Sequence, residues 1–358
     1  MVRVPGKCRG GSPGYGAARA GRAIVQAYVS SAGILTQAGP MRYRCAVLDD
    51  YQNVALSFAD WSAVTGEVEV TVFNKGLGDL NAAAQALRGF QIVCAMRERT
   101  AFPRALIEKL PDLKLIVTTG MKNASIDVAA AKEKGITVCG TEGLGHPTAE
   151  LTIGLMIDLA RRISFESARM KAGEPWQVTV GHDLKGKTLG VIGLGRLGSR
   201  VAKVGQALDM RVLAWSPNLT PQRCEEAGAA YATKDDLLKQ ADVVTLHIVL
   251  SERTRGLIGA ADFALMKKTA FLINTSRGPL VDEAALIDAL TGKTIAGAAL
   301  DVYDTEPLQK GHPLRGLPGA LLTPHLGYVT QDNYRIFYGQ TVETIRAWLD
   351  GNPVRAIG

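Results

Sequence analysis

From Arg44 onward, short apolar runs alternate with stretches whose apolar residues recur every three or four positions. The runs Cys45–Leu48, Val68–Phe73, Ile92–Ala95, Leu115–Thr118 and Ile136–Cys139 predict strands. Between them, Asn81–Phe90, Pro103–Leu110 and Ile126–Lys134 carry helical spacing. Short apolar strands alternating with helices predict a parallel sheet covered on both faces. A longer stretch, Thr148 to Ala172, predicts one continuous helix. Its first half is apolar nearly all round (Leu151, Ile153, Leu155, Met156, Leu159), and its second half is basic and amphipathic. Such a helix lies buried between domains or in a subunit interface. The rhythm then restarts at Lys187, with strands expected at Thr188–Ile192, Val212–Trp215, Val243–Ile248, Phe271–Asn274 and Ala296–Leu300. A helix from Gln331 to Leu349 closes the chain. The pattern describes two α/β units joined by one long helix.

Length and composition agree: 358 residues suit two domains, and 47% apolar with 21% charged residues suits a globular chain. The most apolar stretch, Ala149 to Ala160, is too short for a bilayer and contains Asp158, so no membrane partner is expected. The net charge of +7 is concentrated at the start of the chain. Residues 1–40 hold five basic residues (Arg3, Lys7, Arg9, Arg19, Arg22), eight glycines and no acid. An acid-poor, Arg-containing segment can be an organellar transit peptide, but its glycines suit a presequence helix poorly, and we expect a disordered extension there, or an upstream start with Met41 opening the folded body. The remainder carries 36 basic against 34 acidic residues, with no clustered basic face, so no nucleic-acid partner is expected. Five scattered cysteines (Cys8, Cys45, Cys94, Cys139, Cys224) lack metal-ligand spacing, which fits buried thiols in a reducing, cytoplasmic setting.

The run from Lys187 to Gly198 is a strand ending in Gly193-Leu-Gly195-Arg-Leu-Gly198. It opens a helix with apolar residues at Leu197, Val201, Val204 and Leu208. That context is what a dinucleotide fingerprint requires. Gly193 permits the tight turn, Gly195 lets backbone approach the pyrophosphate, and Gly198 lets helix and strand pack closely. The helix N-terminus offers free N–H groups to phosphate, and Arg196 and Leu197 stand in its first turn. The following strand ends in Ser216-Pro-Asn218, where an acid would bind the ribose 2′-hydroxyl. Without that acid NADP is admitted beside NAD, although no arginine stands beside Ser216 and the next one along the chain is Arg223, in the following helix. His247, at the end of a strand of the same unit, is a further candidate cofactor neighbour.

Three later segments carry polar residues where an apolar strand meets a Pro/Gly-rich turn. They are Asn274-Thr-Ser276-Arg277-Gly-Pro, Asp301-Val-Tyr-Asp-Thr-Glu306-Pro, and Thr323-Pro-His325-Leu-Gly327. With the GLGRLG run, these motifs resemble the D-isomer-specific 2-hydroxyacid dehydrogenases over essentially Met41 to Gly358. The resemblance implies a Rossmann NAD(P)-binding domain (147–324) inserted into a flavodoxin-like substrate domain (41–146 and 325–358), both doubly wound parallel sheets. It puts Arg277, Glu306 and His325 at the catalytic positions and Asp301 on the nicotinamide side, with Ser276 and Gly327 as further cofactor contacts. It also implies a homodimer formed through about Thr148 to His182, including Trp176.

These residue types suit the chemistry. Hydride transfer to a 2-oxo acid builds charge on the carbonyl oxygen, so a proton must arrive there. Histidine, ordinarily titrating at about 6.5, can give and take it. A carboxylate such as Glu306 fixes the ring tautomer, and an arginine fork such as Arg277 matches the substrate carboxylate. His146, His182 and His312 are expected to lack a following Gly-rich edge or a nearby carboxylate partner, and no metal is expected. Substrate contacts are expected from Arg97 and Arg99 after the third strand and from Gly120 and Met121 after the fourth. The family's loop amides at the latter hold the carboxylate, whereas Arg97 and Arg99 suit a phosphate, salt bridges of the cleft itself, or a solvated loop. Tyr328 stands where many members have a second glycine. Phosphite dehydrogenases share the arginine, glutamate and histidine, and dinucleotide-sensing corepressors share the fold; both stay open at this point.

Overall fold

The computed structural model describes residues 42–358, and the expectation about the first forty residues lies outside them. The first sheet is built from β1 (Tyr43–Val47), β2 (Val68–Val72), β3 (Ile92–Ala95), β4 (Leu115–Thr118) and β5 (Thr137–Gly140). All pair in parallel, in the order β2-β1-β3-β4-β5. Every residue of β3 and β4 is buried, which is why these strands read as unbroken apolar runs. The flavodoxin-like order reverses at β1 and β3, so their carboxyl ends open a crevice.

The second sheet contains β6 (Thr188–Ile192), β7 (Arg211–Trp215), β8 (Ala230–Tyr231), β9 (Val243–Leu246), β10 (Phe271–Asn274), β11 (Gly297–Leu300) and β12 (Ala320–Leu322). Its order, β12-β11-β10-β9-β6-β7-β8, is the doubly wound dinucleotide-binding arrangement with one added edge strand. The two edge strands escaped the sequence pattern for a physical reason. β8 is two exposed residues, and β12 is half-buried throughout, so neither forms an apolar run.

The long helix expected over Thr148–Ala172 is two helices. Pro147–Arg161 ends where Arg162 takes a left-handed conformation (φ 55°), and Ile163–Lys171 follows in a new direction. Asp158 makes the break. Its carbonyl accepts from the Arg162 amide (2.6 Å) and its Oδ1 from the Ser164 amide (2.9 Å), ending one helix and capping the next. Apolar periodicity runs past such a break unaltered. The first helix buries Leu155, Met156 and Leu159 against the second sheet, whereas the second buries nothing.

The chain leaves the first sheet after β5 and returns after β12. The last helix, Gln331–Leu349, packs Tyr334, Phe337, Val342 and Ile345 under β1, β3 and β4. Asn333, fully buried at its start, ties the two crossings together. It accepts from the Leu144 amide (2.9 Å) and donates to the Tyr328 carbonyl (2.8 Å). Removing it leaves the part-buried Leu144 amide unpaired, at about 1–3 kcal/mol, while the Tyr328 carbonyl keeps the Thr330 amide (3.0 Å).

Candidate active site

The crevice lies where carboxyl ends of strands from both sheets meet. On the second sheet, the turn after β6 is held by the Gly193 amide donating to the Trp215 carbonyl (2.8 Å). Gly193 has φ +100°, and a Cβ there would stand 2.5 Å from the His247 carbonyl oxygen. At Gly198 a Cβ would lie 2.0 Å from the Gly193 oxygen, so only glycine lets the helix Arg196–Ala207 approach this closely. A Cβ on Gly195, by contrast, would meet open space. Side chains of Asp79, Thr220, Thr233, Asp282 and Thr330 cap their helices. The helix at Gly195 has no side-chain cap, which leaves its first amides for an anion.

Arg196 is exposed in that first turn and Leu197 half-buried. Ser216 is half-buried and Asn218 exposed after β7; the Ser216 carbonyl accepts from the Leu219 amide (3.1 Å). His247 follows β9 with Nε2 3.0 Å from Thr245 Oγ1, while its buried Nδ1 has no partner. Burial pushes its pKa down to about 4, so the ring is neutral. Open space over Gly195, an uncapped helix and an orphaned imidazole nitrogen together fit a dinucleotide.

After β10, buried Asn274 shapes the next turn by accepting from the Ser276 amide (3.0 Å) and donating to the Arg277 carbonyl (2.8 Å). Ser276 Oγ donates to the Leu246 carbonyl (2.7 Å). Arg277 Nη1 donates to the Ser276 carbonyl (2.7 Å), and its Nη2 reaches across to Glu98 Oε1 (2.9 Å).

Asp301, fully buried after β11, has its oxygens engaged with the histidine loop. Oδ1 accepts from Thr323 Oγ1 (2.6 Å) and the Leu326 amide (2.7 Å), and Oδ2 from the Gly327 amide (2.8 Å). Burial raises its pKa despite these donors. The clamp holds His325 in a left-handed conformation, φ 55°, a cost of about 1–2 kcal/mol that a histidine bears only when its surroundings impose it. Gly327 is wedged against Thr148, whose Oγ1 donates to its carbonyl (2.9 Å).

His325 Nδ1 lies 2.6 Å from Glu306 Oε2, and Glu306 Oε1 accepts from the Tyr303 amide (3.0 Å). Burial would raise the Glu306 pKa, but the His325 contact and the Tyr303 amide bring it below the usual carboxylate range. The imidazole sits edge-on to Tyr328, with ring centroids 5.4 Å apart. Arg99 Nε donates to Tyr328 Oη (2.6 Å), and its guanidinium also lies over Tyr51 (5.0 Å).

On the first sheet, Arg97 (φ 51°) follows β3 and its Nη1 donates to the Thr119 carbonyl (3.1 Å). Its guanidinium rests on Gly120, whose amide donates to Thr141 Oγ1 (3.0 Å). Met121 is 42% exposed. Glu98, to which the sequence reading gave no part, stands between Arg97 and Arg277; the signal was an acid flanked by two arginines at a strand end.

One expectation is corrected. His312 has a carboxylate partner, with Nε2 3.0 Å from Glu283 Oε1, because the loop after β11 folds back over the start of the helix Glu283–Thr291. His146 lies 3.9 Å from Glu150, and His182 packs edge-on to Phe271. The cysteines Cys45, Cys94, Cys139 and Cys224 are buried free thiols; Cys8 lies outside the described residues. Among the described residues no three His, Cys, Asp or Glu side chains gather as metal ligands would, and no helix is long and apolar enough to cross a membrane.

Residues 153–327 match the model of the D-isomer specific 2-hydroxyacid dehydrogenase NAD binding domain. A glyoxylate reductase of Aeropyrum pernix is 38% identical over 255 residues, 69% of this chain and 76% of that protein. A D-3-phosphoglycerate dehydrogenase of Methanocaldococcus jannaschii is 40% identical over 72% of this chain, a match spanning 50% of that longer protein. The crystal structure of a phosphoglycerate oxidoreductase from Vibrio cholerae superposes with a TM-score of 0.82 at 34% identity, covering 86% of this chain and 99% of that one.

Proposed function

The chain belongs to the D-isomer-specific 2-hydroxyacid dehydrogenase family, and on that premise we propose that it interconverts a 2-oxo acid and the D-2-hydroxy acid. The observation that carries this reading is the contact between His325 Nδ1 and Glu306 Oε2 at 2.6 Å. With Nδ1 held by a carboxylate, Nε2 is the atom that gives or takes the substrate proton. A bound nicotinamide dinucleotide supplies or accepts the hydride. Gly193, Gly195 and Gly198, with the first turn at Arg196 and Leu197, hold its pyrophosphate, and Ser216 and Asn218 face its ribose. His247, Ser276, Asp301 and Gly327 border the nicotinamide end. Arg277 takes the substrate carboxylate and polarises the carbonyl beside it, and the loop carrying Gly120 and Met121 closes the carboxylate subsite with Arg97 behind it.

The cofactor is NAD, with NADP admitted because Ser216 presents no charge to a 2′-phosphate. Purified protein is expected to oxidise NADH or NADPH with at least one of glyoxylate, hydroxypyruvate, phenylpyruvate and 3-phosphohydroxypyruvate. The faster cofactor reports what Ser216 admits. Tight dinucleotide binding with no turnover on any of the four would refute the reductase.

A second copy of the chain covers the arm after Arg162. Ile163, Phe165, Met170, Trp176, Val178 and Val180 are all exposed, Trp176 by 73% and Val180 by 95%. Exposed large apolar side chains gathered in one segment of about twenty residues suit an interface. Sedimentation should show a dimer that Trp176→Glu with Val180→Glu converts to monomer; a monomeric parent protein would sink the idea.

A further inference from the structure

Tyr328 belongs to the histidine loop but is anchored on the opposite sheet. Its ring lies nearly perpendicular to the His325 imidazole, with centroids 5.4 Å apart and planes at 72°. Its hydroxyl accepts from Arg99 Nε (2.6 Å) in the loop after β3, and its ring packs with Tyr334 and Phe337 of the last helix (6.5 and 6.2 Å). The backbone changes partners at the same residue. Leu326 and Gly327 donate their amides to Asp301 after β11, whereas the Tyr328 carbonyl accepts from Asn333 in the last helix. The imidazole is thus held by two groups: Glu306 of the second sheet at Nδ1, and Tyr328, tied to the first sheet, against the ring.

Arg99 is half-buried, with its guanidinium 5.0 Å from the Tyr51 ring and 5.5 Å from the Tyr328 ring. Among the described residues its guanidinium makes one hydrogen bond, to the Tyr328 hydroxyl. The neighbouring acid, Asp49, is taken up by the hydroxyls of Thr100 (2.7 Å) and Tyr51 (3.2 Å). No carboxylate therefore answers the cation at contact, and its field reaches further. Burial would raise the Glu306 pKa, and the His325 contact, the Tyr303 amide and then the Arg99 charge bring it down.

We propose that Arg99 and Tyr328 are a pair of positioning residues for the proton step. Tyr328 steadies the imidazole so that Nε2 keeps one direction, and Arg99 fixes Tyr328 while setting a cation against the charge that Glu306 favours on the ring. Glu306 alone favours an imidazole that gives a proton readily and takes one back poorly; a nearby cation trims that preference, so the ring serves both directions. Around the pair stand Asp301, whose oxygens are engaged by Thr323 and two amides, and the phenols of Tyr51, Tyr303 and Tyr334. Glu98 is paired with Arg277 and lies beside Arg97. This inference rests on the reductase reading above and adds two residues to it.

The test measures kcat, KM and the pH profile of reduction, on the fastest of the four 2-oxo acids named above. It uses the parent protein, Tyr328→Phe, Arg99→Met, their double variant and Arg99→Lys. Tyr328→Phe and Arg99→Met should each lower kcat by about 10-fold and leave KM within about two-fold. The double variant should lose about 10-fold again rather than about 100-fold, because the two residues act through one bond. Reduction uses the protonated ring, so kcat/KM falls as pH rises through its titration. Removing the cation favours the protonated ring, so in Arg99→Met that fall should move up by about half a unit, and Arg99→Lys should return it. A raised KM with kcat intact in Arg99→Met would mean that its terminal nitrogens bind substrate directly, and would overturn the inference. So would losses that multiply in the double variant, or a pH profile unmoved by Arg99→Met. No turnover by the parent on any of the four would instead remove the reductase reading and this inference with it.

Discussion

His325→Asn is expected to lower kcat for 2-oxo acid reduction by about 10³-fold, within the range a positioned general acid contributes. Asparagine is the sharper substitution because it tolerates the left-handed backbone that His325 adopts, whereas alanine at φ 55° adds about 1 kcal/mol of strain to the loss of the proton carrier. The loop should survive either change. Asp301 grips it through the Thr323 hydroxyl and the Leu326 and Gly327 amides, none of which belongs to the imidazole. Cofactor affinity should therefore stay within about three-fold, since its proposed cradle is the glycine turn after β6. Single-turnover absorbance at 340 nm with saturating reduced cofactor separates the two effects. Turnover near the parent rate in either variant would show that the proton comes from elsewhere. Turnover lost together with cofactor binding would show a collapsed loop.

The second large effect concerns two glycines of the proposed pyrophosphate cradle. At Gly198 the added methyl of Gly198→Ala would stand 2.0 Å from the backbone oxygen of Gly193, and no rotamer change relieves a backbone clash. The helix Arg196–Ala207 must move outward and carry its first-turn amides with it. A lower melting temperature and a rise of about 100-fold in dinucleotide Kd are expected. Gly195→Ala makes the contrast. Its φ of −84° suits alanine and its Cβ meets open space, so the melting temperature should not move. Cofactor affinity should still fall by about 10-fold or more, because the methyl occupies the ground a phosphate needs. A Gly195→Ala protein that binds NADH as the parent does would mean that the open space is not the pyrophosphate seat.

Much of the fold was legible because its determinants are local. The buried strands from β1 to β11 announced themselves as apolar runs, and the doubly wound order follows from short right-handed crossovers between them. The glycine turn was legible for the same reason: its sterics operate within six residues of chain. The edge strands β8 and β12 and the break at Arg162 were not, since the strands bury too little and the break depends on a single carboxylate, Asp158, choosing the Ser164 amide.

The candidate site divides along the same line. Sequence alone determined which residue types lie at strand ends and that a dinucleotide turn exists, and the resemblance nominated Arg277, Glu306 and His325. Only the tertiary structure decided what those side chains face. Glu306 meets His325 across 19 residues, His312 meets Glu283 across 29, and Arg277 meets Glu98 across 179. Periodicity and turn sterics act over one or two helical turns. A charge, by contrast, is answered by whatever group the folded sheets bring within about 4 Å, however far away it lies in the chain.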